Sequence, residues 1–173
     1  MDLTHIIRNV PDFPVDGIQF KDITTLLQNQ DAFRHVIDTW HKRYEPQNID
    51  VILGADARGF IFGGALAYAL GKPFAPIRKK GKLPYDTISE NYELEYGTDT
   101  LELHIDALNK GDRVVIIDDL LATGGTMEAS AKLVETLGGN IIELAFVVEL
   151  PPLKGRDRLT GYDIHTFVEY MVD

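Results

Sequence analysis

The stretch "VVIIDDLLATGGT" holds the residues best placed to do chemistry. Four β-favouring apolar residues, Val114 to Ile117, lead into Asp118 and Asp119. A turn of small and hydroxyl residues follows: Ala122, Thr123, Gly124, Gly125 and Thr126. The turn runs directly into a helical pattern. N–H groups at a helix start lack intrahelical partners and carry partial positive charge, so they favour phosphate. Glycines let the backbone approach the anion, and the threonines add hydroxyl donors. A side chain at Gly124 is expected to block the anion without cost to the fold. Ionised carboxylates only accept hydrogen bonds and would repel phosphate, so they suit the hydroxyls of a sugar one step away. The expected ligand is a sugar phosphate. A well-capped turn with two solvated aspartates remains the alternative. The patterns GxxxxGK[ST] and GxGxxG are both absent.

Three other stretches carry candidates, each with a plainer reading. "GADARG" (Gly54 to Gly59) places Arg58 in a second strand-to-helix turn, where a surface salt bridge would also explain it. "RKKGK" (Arg78 to Lys82) is a local cationic cluster that could equally be a solvated loop. Glu95 alternates as an exposed strand residue, and Phe20 could be a satellite core residue. The five histidines show no metal-ligand spacing, and cysteine is absent, so thiolate and disulfide chemistry are excluded.

The elements that would position these residues alternate along the chain. The first thirty residues are turn-rich. A helical face of Phe33, Val36, Ile37, Trp40 and Tyr44 comes next. Then "IDVILG" reads as a strand, "GFIFGGALAYAL" as an apolar helix and "PFAPIR" as a short strand. Lys79 to Asn91 reads as irregular, and "YELEYG" with "TLELHI" as hairpin strands. "RVVIID", the helix from Thr126 and the strand "IIELAFVVEL" follow, and "DIHTFVEY" is a peripheral last strand. Apolar strands separated by helices imply a parallel sheet covered on both faces. Ligands bind such sheets at the carboxyl ends of the strands, near a topological switch point. Asp118, Asp119 and the "GADARG" turn all fall at such ends. The aspartates, sitting where the strand leaves the sheet, need not be buried.

Composition bounds the function. A chain of 173 residues suits one domain. Its net charge of −10 argues against general nucleic-acid binding. No apolar run reaches the ~18 residues that span a bilayer, and the N-terminus is unlike a secretory signal. A cytoplasmic location is the expectation.

With these segments in hand, a family resemblance is plain. "VVIIDDLLATGGT" resembles the phosphoribosyl-pyrophosphate signature of type I phosphoribosyltransferases, in the wording of the branch that acts on adenine. "FPVDGIQFKDIT" resembles that branch's base-binding segment, "ADARGFIFG" its pyrophosphate loop, "RKKGKLPYDTISENYELEYGTDTLELH" its mobile loop and hairpin, and "VVELPPLKGRDRL" its C-terminal piece. The resemblance implies an α/β fold: a central, mostly parallel twisted sheet flanked by helices, with a small N-terminal hood and a mobile hairpin lid. It implies a single domain over 1–173, with a hood at 1–30, a core at 31–150 containing the lid at 79–97, and a C-terminal strand region at 151–173.

By the same resemblance, Asp118 and Asp119 hold the ribose, and Ala122, Thr123, Gly124, Gly125 and Thr126 hold its phosphate. Asp56, Ala57, Arg58, Arg78, Lys79 and Lys82 contact pyrophosphate. Gln19, Phe20, Lys21, Arg58 and Glu95 contact adenine, and Glu95, Asp118 and Asp119 are the catalytic set. The branch more often has arginine at Lys21 and an apolar residue at Gln19; lysine lacks arginine's planar fork. A cis peptide between Asp56 and Ala57 is also implied. The implied cofactor is Mg2+, held mainly by substrate and water rather than by a protein cluster. The implied assembly is a homodimer, with small-molecule substrates and neither nucleic acid nor membrane as partner. A phosphoribosyltransferase for another purine base, or a non-enzymatic sensor of the donor, are the rival readings. The "LEYG" and "FKDIT" segments weigh against the first. The absence of a helix-turn-helix pattern and the acidic charge weigh against the second.

Overall fold

The fold was obtained as a computed structural model describing residues 1–94 and 97–171. Its frame is a seven-stranded sheet. The strands are β3 (Val51–Ala55), β4 (Phe74–Lys79), β5 (Thr87–Leu94), β6 (Gly97–His104), β7 (Arg113–Leu121), β8 (Asn140–Glu149) and β9 (Ile164–Glu169), in the spatial order β5-β6-β4-β3-β7-β8-β9. Strands β4, β3, β7, β8 and β9 pair in parallel, and β6 and β5 add antiparallel at one end. The connecting helices are α3 (Gly59–Leu70) and α4 (Gly125–Thr136). From adjacent β3 and β7 the chain departs to opposite sides of the sheet, through α3 to β4 and through α4 to β8. That divergence is the switch point.

Strand periodicity builds two cores. Ile52, Val115, Ile117, Ala145 and Val147 face α3 and the helix α2 (Gln30–Tyr44), with Trp40, Phe62 and Leu66. Val51, Leu53, Val114, Ile116, Leu144 and Phe146 face α4, with Met127, Leu133 and Val134. The central strands β3, β7 and β8 are apolar on both faces because each face is covered, which is why they read as continuous apolar runs. α2 starts on Asn29, whose side chain accepts from the N–H groups of Asp31 and Ala32. Its polar end is tied to β8: Arg43 donates to both carboxylate oxygens of Glu143, and Tyr44 donates its hydroxyl to the same group.

The first thirty residues hold more structure than their turn-rich composition suggests. β1 (Arg8–Pro11) and β2 (Gln19–Asp22) form an antiparallel pair, followed by α1 (Thr24–Gln28). The two ends of the pair are tied together by Thr25 of α1, whose hydroxyl donates to the Ile6 carbonyl at 2.6 Å. The pair is fastened to the C-terminal tail by Tyr170, which donates to the Thr4 carbonyl at 2.8 Å.

One expectation is corrected here. Lys79 to Asn91 is not irregular throughout: β4 runs to Lys79, and β5 begins at Thr87. Its register with β6 runs from Thr87 opposite His104 to Leu94 opposite Gly97. The run Ser89-Glu90-Asn91 is polar because it sits in an end strand of the sheet, and pairing with β6 overrides its weak strand propensity. The irregular part narrows to 80–86.

Candidate functional site

A cleft of about 310 Å³ opens at the carboxyl ends of β3 and β7, lined by Asp56, Ala57, Arg58, Lys79, Tyr92, Asp118, Asp119, Leu120, Ala122 and Thr126. A smaller cavity adjoins it, lined by Asp118 and the turn Ala122, Thr123, Gly124, Gly125 and Thr126. Asp118 borders both.

Close backbone contact brings the two loops together. Gly59 opens α3 so near β7 that a Cβ there would lie 2.6 Å from the Ile117 carbonyl oxygen and 3.3 Å from Asp118 Oδ1. This approach carries Arg58 to Asp119: the guanidinium Nε donates to Oδ2 at 2.5 Å. At the second loop Gly124 has φ +84, a conformation that side chains resist, and a Cβ on it would meet the Gly155 carbonyl oxygen at 2.6 Å. Gly155 starts the short helix α5 (Gly155–Arg158). The expectation that Gly124 can be replaced without cost to the fold is therefore wrong, because this glycine is also a packing contact. Gly124 precedes α4 without any side-chain cap, which leaves the helix start open to an external acceptor.

Strand β7 extends past both aspartates to Leu121, so they lie inside the sheet's last turn rather than beyond it. Asp119 is 4% exposed, which corrects the expectation that neither need be buried. Its charge is offset by Arg58. Asp118 opens onto the cleft, and among the described residues it forms no such ion pair. Burial, then the neighbouring charge of Asp119, pushes its carboxyl well above the ordinary range. Burial by itself would lower the Arg58 guanidinium. The hydrogen bond and charge of Asp119, with Asp118 and Asp22, outweigh it and raise the group instead. Asp22 ends β2, so the N-terminal pair lies within electrostatic reach of Arg58.

Arg78 and Lys79 are paired with carboxylates as well. Arg78 Nε lies 3.4 Å from Asp56 Oδ2, and Lys79 Nζ lies 3.2 Å from Asp99 Oδ2. The Asp56–Ala57 peptide is cis, as the resemblance implied.

Of the residues singled out in the sequence, the cleft and its annex gather Asp56, Ala57, Arg58, Lys79, Asp118, Asp119, Ala122, Thr123, Gly124, Gly125 and Thr126. Arg78 and Lys82 are not in the cleft lining; Arg78 donates to the Lys82 carbonyl at 3.3 Å within the basic turn. Gln19, Phe20 and Lys21 are also absent from it. Gln19 accepts from Asn9, Lys21 donates to Asn9 and sits 4.4 Å over the Tyr170 ring, and Phe20 packs edge-on to Phe13 at 5.1 Å. Glu95 lies outside the described residues. Tyr92 was missed by sequence reasoning: it looked like one more alternating strand residue, and only the packing of β5 beside α4 brings it to the cleft.

Among the described residues no three His, Cys, Asp or Glu side chains converge as a metal cluster. The carboxylates of Asp56, Asp118 and Asp119 nevertheless supply hard oxygen donors at the cleft, the ligand type that suits magnesium.

Comparison with known proteins gives the same picture. Residues 22–171 match the family described as "Phosphoribosyl transferase domain". The adenine phosphoribosyltransferase of Acetivibrio thermocellus is 60% identical over 171 residues, covering 98% of this chain and 100% of that protein. The crystal structure of adenine phosphoribosyltransferase from Thermoanaerobacter pseudethanolicus superposes with a TM-score of 0.93 at 54% identity, covering 97% of this chain and 98% of that one. The Saccharomyces cerevisiae adenine phosphoribosyltransferase, solved with an imino-altritol bisphosphate and adenine, superposes with a TM-score of 0.92 at 40% identity, covering 96% of each chain.

Proposed function

The chain belongs to the phosphoribosyltransferase family, and from that premise we propose that it transfers the 5-phosphoribosyl group from phosphoribosyl pyrophosphate to adenine, giving AMP and pyrophosphate in purine salvage. The observation that carries the reading is one juxtaposition. The uncapped start of α4 adjoins Asp118 and Asp119 at the switch point, with Arg58 and Lys79 lining the same cleft. A ligand with a phosphate at one end, hydroxyls in the middle and pyrophosphate at the other matches that order of groups. The adenine-directed names of relatives sharing more than half their residues favour adenine over other bases. The structured N-terminal pair is two strands rather than a DNA-reading helix pair, which disfavours a sensor.

In the transfer, the bond from the ribose anomeric carbon to pyrophosphate oxygen breaks and its electron pair leaves with pyrophosphate. The bond from that carbon to a purine ring nitrogen forms, and the nitrogen loses its proton. Positive charge builds on the ribose ring meanwhile. Asp118 and Asp119 hold the ribose hydroxyls and place negative field beside that charge. Backbone N–H groups and hydroxyls of Ala122 to Thr126 anchor the 5-phosphate and so fix the sugar's orientation. Arg58 exchanges Asp119 for the donor or the base, and Lys79, Arg78 and Lys82 offset the charge of the departing pyrophosphate. Glu95 handles the purine proton. Gln19, Phe20 and Lys21 close over the base when the N-terminal pair moves toward Arg58. Magnesium bound with the donor would neutralise charge on pyrophosphate, and Asp56, Asp118 and Asp119 are the carboxylates of the cleft that would help to hold it.

In this reading 1–30 serves as a hood, 31–150 as the core and 151–173 as a C-terminal strand region, with 79–97 proposed as a lid that excludes water. A homodimer fits α3, a helix without a charged residue that leaves Ile61 and Tyr68 exposed, Tyr68 to 91%. The cytoplasm is the fitting address because the donor is a multiply charged phosphate ester that does not cross membranes unaided.

The deciding experiment offers adenine, hypoxanthine, guanine and xanthine separately with phosphoribosyl pyrophosphate and magnesium, and measures pyrophosphate release. Adenine alone should respond. Comparable turnover with another base would overturn the assignment.

A further inference from the structure

We propose that Asp99, which stands behind the cleft wall, is a positioning residue for the pyrophosphate half of the donor, holding the Lys79 ammonium and the Tyr92 hydroxyl together on that wall. The proposal rests on the function given above.

The geometry joins three strands. Lys79 ends β4, Asp99 lies on β6, and Tyr92 is its direct cross-strand partner on β5. Lys79 Nζ lies 3.2 Å from Asp99 Oδ2, and the Tyr92 hydroxyl donates to that same oxygen at 3.2 Å. The other oxygen, Oδ1, accepts from the Thr100 N–H at 2.8 Å, which fixes the carboxylate plane. Lys79 and Tyr92 line the cleft and Asp99 does not. The acid therefore holds both groups from behind without occupying the space a ligand needs.

An ammonium has three donors. One given to Asp99 leaves two for phosphate oxygens. A free lysine loses rotamer freedom when fixed. A carboxylate that has already fixed it removes part of that cost from binding. The ion pair itself adds little to the fold, since the Lys79 side chain is 55% exposed. Tyr92 extends the link to the phosphate-binding turn: its ring comes within 3.6 Å of the position a Cβ on Gly125 would take. Asp99 thus couples the basic end of β4 to the start of α4 through two side chains.

The test measures binding of inorganic pyrophosphate by calorimetry, with KM values for phosphoribosyl pyrophosphate and adenine alongside. The proteins are the unaltered chain, Asp99→Ala, Asp99→Asn, and Asp99→Ala in a Lys79→Met/Tyr92→Phe background. Asp99→Ala should weaken pyrophosphate binding and raise the donor KM by about three- to tenfold, with the adenine KM unmoved. Asp99→Asn keeps an acceptor for both donors and should recover part of the loss. In the Lys79→Met/Tyr92→Phe background Asp99→Ala should change nothing further. Unchanged or tighter pyrophosphate binding in Asp99→Ala would overturn the proposal; tighter binding would mean that Asp99 masks Lys79. An undiminished effect in the altered background, or a parallel rise in both KM values, would overturn it too, as general structural damage. Pyrophosphate binding needs no base, so failure of adenine turnover in the unaltered chain would refute the proposed function while these binding comparisons still decide the role of Asp99.

Discussion

Arg58 at the start of α3 and Asp119 near the end of β7 form a close ion pair, Nε to Oδ2 at 2.5 Å, in which the carboxylate is buried and the arginine side chain half exposed. The arginine can swing to a ligand while the aspartate stays. Asp119→Asn keeps the shape and removes the charge proposed to face a developing ribosyl cation. Turnover should fall by ~10²-fold or more, the scale of losing one preorganised electrostatic group. Near-normal kcat would remove Asp119 from the mechanism.

Asp118 gives a pH signature. Its folded-state carboxyl is raised by burial and by Asp119, so between the ordinary aspartate range and that raised value the native state holds a proton that the unfolded chain has released. The sign follows: stability falls as pH rises from the ordinary aspartate range through the raised folded value, and it is recovered on acidification across that window. Asp118→Asn should abolish this component and melt higher than the unaltered protein at neutral pH, while losing activity. A lower melting temperature would show that Asp118 stabilises the fold.

Gly124→Ala combines two losses. The left-handed φ and the 2.6 Å approach to the Gly155 carbonyl should together cost about 2–4 kcal/mol in stability. Donor binding should be lost too. Calorimetric titration and chemical denaturation check the two independently. Binding lost with full stability would restore the purely ligand-facing reading of this glycine.

Arg43→Ala serves as a distant control. Glu143 is 6% exposed at its side chain, and burial would raise it, but the hydrogen bonds of Arg43 and Tyr44 hold it below its ordinary value. Removing Arg43 strands that charge. The loss should be roughly 2 kcal/mol, discounted from the fully buried case because Arg43 is itself 41% exposed. Substrate KM values should not move.

Glu95→Gln separates proton handling from binding. The rate should fall more than the affinity for the ribosyl donor. The reverse pattern in steady-state kinetics would assign Glu95 to the structure of the hairpin.

Much of the site was legible because local rules write it locally. Asp118 to Thr126 and Asp56 to Arg58 each occupy one strand-to-helix turn, and the alternation of apolar strands and helices alone places both turns at one edge of a parallel sheet. Motif wording added the ligand's identity, which spacing left open between a phosphate cradle and an ordinary turn. Other features were set by partners far away in the chain. β5 starts at Thr87 because β6 pairs with it. Asp119 is buried because Gly59 lets α3 settle against β7. Tyr92 reaches the cleft, and Asp99 reaches Lys79, only through three strands in register. The sequence by itself determined which residue types stand at each turn, since capping, turn and strand preferences act over a few residues. The tertiary structure alone decided which charges meet and which are buried, since those depend on contacts between segments far apart in the chain, as Arg58 and Asp119 are, and Arg43 and Glu143 farther still.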